Sequence, residues 1–160
     1  MTVIFNSPTE GSLTLTETFN SIIGFIQKEP ARDYTLIVGT DSQSRQQVSF
    51  VTAVIIYRQG KGGRFFYCRD VQRINQSLRQ RIFYETSKSL EIASKLTMKM
   101  ARLDDVLENI NIEIHIDIGR RGPTREMIKE VVGMVSGSGY QARIKPDSYG
   151  ASSVADKYTK

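Results

Sequence analysis

Four carboxylates fall on four separate predicted elements. Asp41 closes a strand in Val38-Gly39-Thr40-Asp41-Ser42, Glu85 lies inside a helix, Asp117 closes another strand, and Asp156 sits near the C-terminus. Acids brought together at neutral pH repel one another, so a fold that converges them calls for a cation between them, and hard ions such as Mg²⁺ and Mn²⁺ take oxygen ligands. The layout predicts a divalent-metal site, provided that the side chains meet.

Each acid also has a purely local reading. Asp41-Ser42 could cap a turn after a strand. Glu85 could pair with Arg81 one helical turn earlier, and Asp117 with Arg120 or Arg121 in the loop that follows it. None of these accounts for all four at once. For the fourth acid the preferred position is Asp156, in Ala151-Ser152-Ser153-Val154-Ala155-Asp156-Lys157; the alternative is Asp147, which directly follows Pro146 and reads more simply as a turn or N-cap residue.

Groups suited to phosphate cluster nearby. The loop Gly119-Arg120-Arg121-Gly122-Pro123-Thr124-Arg125 sets three arginines directly after Asp117 and leads into a predicted helix, an arrangement that can grip phosphate as readily as it can form a solvated basic turn. Ser42 and Lys157, next to Asp41 and Asp156, join Arg120, Arg121 and Arg125 as candidate substrate contacts. The basic hairpin tip, Arg58, Lys61 and Arg64, reads as solvated. His115 shares a strand face with Asp117 and Glu113; a hydrogen-bonded interior histidine is the simpler reading than a proton shuttle.

Composition narrows the partners. The chain has 160 residues, 39% of them hydrophobic, enough for one ordinary core and short for two. It carries 22 basic and 17 acidic residues; with the four candidate ligands set aside, 22 face 13. A basic surface around an acidic cleft suits a phosphodiester polymer, although plain solubility also explains a charge of this size. One cysteine, Cys68, and one histidine, His115, exclude an intramolecular disulfide and a Cys/His zinc cluster built from this chain. No apolar run reaches membrane-spanning length and the N-terminus lacks a basic region before an apolar one, so a cytoplasmic protein without a membrane partner is expected.

The positioning elements are read from periodicity. Thr14-Leu15-Thr16-Glu17 has capping-box spacing, and Leu15, Phe19, Ile22, Ile23 and Ile26 form a helical stripe that Pro30 ends. Tyr34 to Thr40 is apolar on both faces, as a central strand is. Val48–Tyr57 and Arg64–Arg69 flank Gln59-Gly60-Lys61-Gly62-Gly63, a hairpin signal, so the first three strands form a meander. A helix over about Ser77 to Arg102, a strand over Asn111–Asp117, a helix over Thr124–Ser136, a strand over Tyr140–Lys145 and a short helix over Ala151–Lys157 complete the order α then βββαβαβα.

That order, with acids in those places, resembles the ribonuclease H-like fold from about Tyr34 to the C-terminus. More narrowly, Val38-Gly39-Thr40-Asp41-Ser42-Gln43, His115-Ile116-Asp117-Ile118-Gly119, Ile144-Lys145-Pro146-Asp147-Ser148 and the segment around Asp156 resemble the bacterial YkuK-type branch. The resemblance implies a single α/β domain over residues 1–160. It implies a mixed five-stranded sheet, three antiparallel strands then parallel ones, flanked by helices, with residues 1–33 an N-terminal helical extension of a 34–160 core. It also implies a two-metal hydrolase of phosphodiester bonds in RNA, an RNA/DNA hybrid or branched DNA, using two Mg²⁺ or Mn²⁺ ions. By position, Asp41 would bridge both ions, Glu85 and Asp117 would hold one, and Asp156 the other. The protein is expected to act as a monomer or homodimer.

Two other classes remain beside this. A non-catalytic nucleic-acid-binding domain could keep the acids as relics or as a structural ion site. Actin-like ATPases share the core, but they duplicate it and use glycine-rich phosphate turns, whereas this chain has one copy and its glycine cluster lies in a hairpin.

Overall fold

The computed structural model describes residues 3–44, 47–72, 77–103 and 110–148. A seven-stranded mixed sheet organises them, in the order β2-β1-β5-β4-β3-β6-β7. The strands are β1 (Ile4–Ser7), β2 (Gly11–Thr14), β3 (Tyr34–Ser44), β4 (Val48–Arg58), β5 (Gly63–Gln72), β6 (Ile110–His115) and β7 (Gln141–Arg143), with helices α1 (Leu15–Lys28), α2 (Leu78–Met100) and α3 (Ile128–Gly137). β3, β4 and β5 form the expected antiparallel meander, and β6 and β7 add parallel to the other side of β3.

The sheet has seven strands where five were expected. Residues 4–14 form an antiparallel hairpin whose β1 joins β5 through Asn6 and Tyr67, so the N-terminal extension is a hairpin followed by a helix. Four-residue strands carry too little periodicity to announce themselves, and their pairing with β5 decides their conformation. The segment 151–157, where a last helix was expected, lies outside the described residues.

β3 is central because it is hydrogen-bonded on both sides, and its alternation sorts the site. Leu36, Val38, Thr40 and Ser42 are buried; Thr40 Oγ1 lies 2.8 Å from Ser89 Oγ of α2 and 2.9 Å from Thr52 Oγ1 of β4, which fixes this row toward α2. The core joins Leu36 and Val38 to Val54, Ile56, Phe66, Ile92, Leu96 and Ile114, all fully buried. Each such side chain contributes about 1.5–3 kcal/mol by leaving water.

Both long helices begin with reciprocal caps. Thr14 Oγ1 accepts Glu17 N–H at 3.1 Å while Glu17 Oε1 accepts Thr14 N–H at 2.9 Å, and Ser77 with Gln80 repeats the pattern at 3.2 and 3.0 Å. These satisfy amide donors that have no partner within the helix.

Arg58 departs from the solvated hairpin tip expected of it. It is 9% exposed, donates to the Phe25 carbonyl at 2.7 Å and Tyr34 Oη at 3.1 Å, pairs with Glu29 at 3.1 Å, and lies 4.0 Å from the Phe25 ring centroid. Its charge is neutralised inside, so burial is tolerated.

Candidate metal and phosphate site

Three of the four predicted acids are described, and they come from three elements: Asp41 on β3, Glu85 on α2 and Asp117 two residues past β6. Because β3 and β6 are parallel neighbours, with Gly39 opposite His115, residues just beyond that register emerge side by side. β3 runs on past Asp41 to Ser44, so Asp41 stands within the strand and not at its end.

Glu85 is the electrostatic centre. It is 5% exposed, and its carboxyl is pushed up to about 8, first by burial and then by the negative charges of Asp41 and Asp117, against the pull of Ser42 and Arg81. Near neutrality, without a cation, it retains a proton. Ser42 Oγ–H donates to Glu85 Oε2. Arg81 in turn donates to Ser42 Oγ from Nε at 3.3 Å and from Nη2 at 3.1 Å, and to the Ser42 carbonyl at 3.2 Å. Ser42, set among the substrate contacts on sequence, is 8% exposed and orients Glu85; Arg81 acts on Glu85 through that serine.

Asp117 has a partner that sequence reading missed. Lys145 Nζ sits 2.9 Å from Asp117 Oδ1, and its charged form is favoured first by that bond, then by the charges of Asp117, Asp41 and Glu85 against its partial burial. The backbone explains the meeting: Ile116 N–H donates to Arg143 O at 2.9 Å and Lys145 N–H to Ile118 O at 2.8 Å, so the chains leaving β6 and β7 stay paired. A side chain on Gly119 would press within 3.3 Å of Lys145 Cβ, so glycine leaves the lysine stem its path. The signal was the parallel pairing of the two strands, which sets Lys145 beside Asp117 across a whole helix of sequence.

The arginine loop borders the same place. Thr124 Oγ1 accepts Gly119 N–H at 3.1 Å, and Gly122 takes φ of 87°, a turn that favours glycine. Arg120, Arg121 and Arg125 are exposed, and Gly119, Arg120, Arg121, Lys145 and Pro146 line a hollow of about 440 Å³. Asp147 is exposed and lines a different hollow, with Thr35, Ile37, Ile55, Glu113 and His115. His115 is interior, its Nε2 3.0 Å from Glu113 Oε1 and its Nδ1 buried without a partner. A larger hollow of about 540 Å³ lies at the opposite end of β3, around Tyr34, Tyr57 and Asn111, and holds none of the predicted site residues. Asp156 and Lys157 lie outside the described residues.

The donor set fits a hard divalent cation in kind: three carboxylates whose charges act on one another, one of them proton-holding because it is buried. Among the described residues no three His, Cys, Asp or Glu side chains are arranged to hold a metal ion together. Each of the acids has a partner of the protein's own: Asp41 Oδ1 accepts the Ser42 N–H at 2.9 Å, Glu85 the Ser42 hydroxyl, and Asp117 pairs with the Lys145 ammonium.

A mixed sheet with β3 between β4 and β6, acids from β3, α2 and the end of β6, and a family model that matches residues 17–160 place the chain in the ribonuclease H-like family, to which it belongs. The match begins inside α1. The chain is also 36% identical to the protein of Bacillus subtilis strain 168 called uncharacterized protein YkuK, over 169 aligned positions that cover 98% of this chain and 97% of that one. Among the described residues no helix is long and apolar enough to cross a membrane.

Proposed function

We propose that this chain is a Mg²⁺- or Mn²⁺-dependent nuclease that hydrolyses phosphodiester bonds in RNA, an RNA/DNA hybrid or branched DNA. The observation that supports the reading is Glu85: a carboxyl pushed up to about 8 first by burial and then by the negative charges of Asp41 and Asp117, which come from two other stretches of the chain. Perturbed acids gathered in this way mark functional sites.

Asp41, Glu85 and Asp117 would hold the ions, and Asp156 is the preferred fourth ligand over Asp147, whose hollow is the one around His115. Bound there, a pair of divalent ions supplies an activated water and charge neutralisation at the leaving oxygen. The chain's own residues do the rest. The Arg81–Ser42 relay holds Glu85 in one orientation. Arg120 and Arg121, which line a hollow with Lys145, bind the phosphate backbone, and Arg125 extends the same basic surface. Nothing in this set selects a base, which supports recognition by backbone and shape. A cytoplasmic location, and action as a monomer or homodimer, belong to the same proposal.

The test is Mn²⁺-dependent cleavage of labelled RNA, RNA/DNA hybrid and branched DNA by the wild-type chain and by Asp41→Asn. Cleavage by the wild type and its loss in the variant support the reading; equal cleavage by both overturns it. The second reading, a nucleic-acid-binding domain without catalysis, draws on the Lys145–Asp117 pair, which already neutralises one acid. Binding of the same nucleic acids with no cleavage in any divalent ion is the outcome that selects it.

A further inference from the structure

Lys145 stands where two parts of the site meet. Its ammonium is 2.9 Å from Asp117 Oδ1, the other charges acting on it are Asp41 and Glu85, and its stem forms the wall of the hollow that Arg120 and Arg121 share. Its backbone is fixed by the Ile118 carbonyl and its stem passes over Gly119, where no Cβ blocks it. The side chain itself is 60% exposed. A fixed base with an exposed flexible tip is what a group needs to leave one partner for another at small expense, since a lysine rotates about four bonds and binds as a point charge.

We infer that Lys145 is a tethered cation of the acid cluster, held on Asp117 while the site lacks a divalent ion and turned to a substrate phosphate in the arginine-lined hollow once an ion takes Asp117. This inference rests on the metal reading proposed above. The ammonium that balances the Asp117 charge also repels, and so competes with, any cation that the acid would hold. Released, the ammonium has a second use within its own reach, because Arg120 and Arg121 line the same hollow and a phosphate bound at it would meet three basic residues.

The two halves predict effects of opposite sign from one substitution. An ion pair this exposed is worth at most a factor of about five, so Lys145→Met binds Mn²⁺ roughly two- to fivefold more tightly than wild type by calorimetry. The same variant binds a labelled RNA/DNA hybrid in Ca²⁺ several-fold more weakly, with the slope of log affinity against log salt reduced by about 0.7–0.9. Lys145→Arg, which keeps the charge, stays close to wild type in both. A lysine serving only to stabilise the fold would not tighten Mn²⁺ binding. Mn²⁺ bound equally or more weakly by Lys145→Met, or hybrid affinity unchanged in it, overturns this inference and leaves the metal reading standing. Failure of Mn²⁺ to bind either protein overturns the metal reading and this inference with it.

Discussion

Ser42 Oγ donates its proton to Glu85 Oε2 across the β3–α2 interface. Removing the hydroxyl leaves a buried carboxyl without its donor and Arg81 without one of its two acceptors. Ser42→Ala therefore loses about 1–3 kcal/mol of unfolding free energy, read from urea denaturation. A loss well under half a kilocalorie would show that the relay contributes nothing to stability.

Glu85 gives a pH dependence whose sign is fixed. Its carboxyl is raised from the ordinary 4.5 to about 8, so between those values the folded chain holds a proton that the unfolded chain has released. Folding is therefore favoured at low pH by this group, and that contribution is lost as pH rises through 8. Glu85→Gln keeps an acceptor for Ser42 and cannot ionise. Melting of wild type and variant in chelator should show the variant gaining on wild type from pH 5 to pH 8.5. A constant gap across that range would mean that Glu85 ionises normally.

Arg120 and Arg121 carry charge and no base recognition in the proposed function. Replacing both by alanine should weaken binding to RNA and DNA of every sequence alike and reduce the salt slope by about 0.7–0.9 for each arginine. Fluorescence anisotropy at several salt concentrations measures this. Unequal losses among sequences would assign these residues to base reading.

Arg58 is a structural test at a distance from the site. Arg58→Met keeps the apolar stem but removes the bonds to Phe25 O, Tyr34 Oη and Glu29, and should reduce stability by about 2–4 kcal/mol with Mn²⁺ affinity unchanged at temperatures where the variant is folded.

Much of this is legible in the linear sequence where one element supplies its own signal. The apolar run before Asp41, the Thr14–Glu17 box and the hairpin glycines are local patterns, and each element formed where its pattern lies. What could not be read depends on neighbours far along the chain. Lys145 meets Asp117 only because β6 and β7 stay paired beyond their ends. Arg58 is buried because a carbonyl of α1 waits for it. Ser42 orients Glu85 because alternation along β3 aims the serine at α2. The hairpin at residues 4–14 exists through its neighbour β5.

That hairpin also settles how the sheet ends. It meets the ten-residue β5 through Asn6 and Tyr67 and so covers part of that border, and the outer strands of the described sheet become β2, four residues, and β7, three. Margins so brief give a second molecule little to zip onto. The protein should consequently stay dispersed at concentrations where a sheet with a long bare border would begin to stack into fibres.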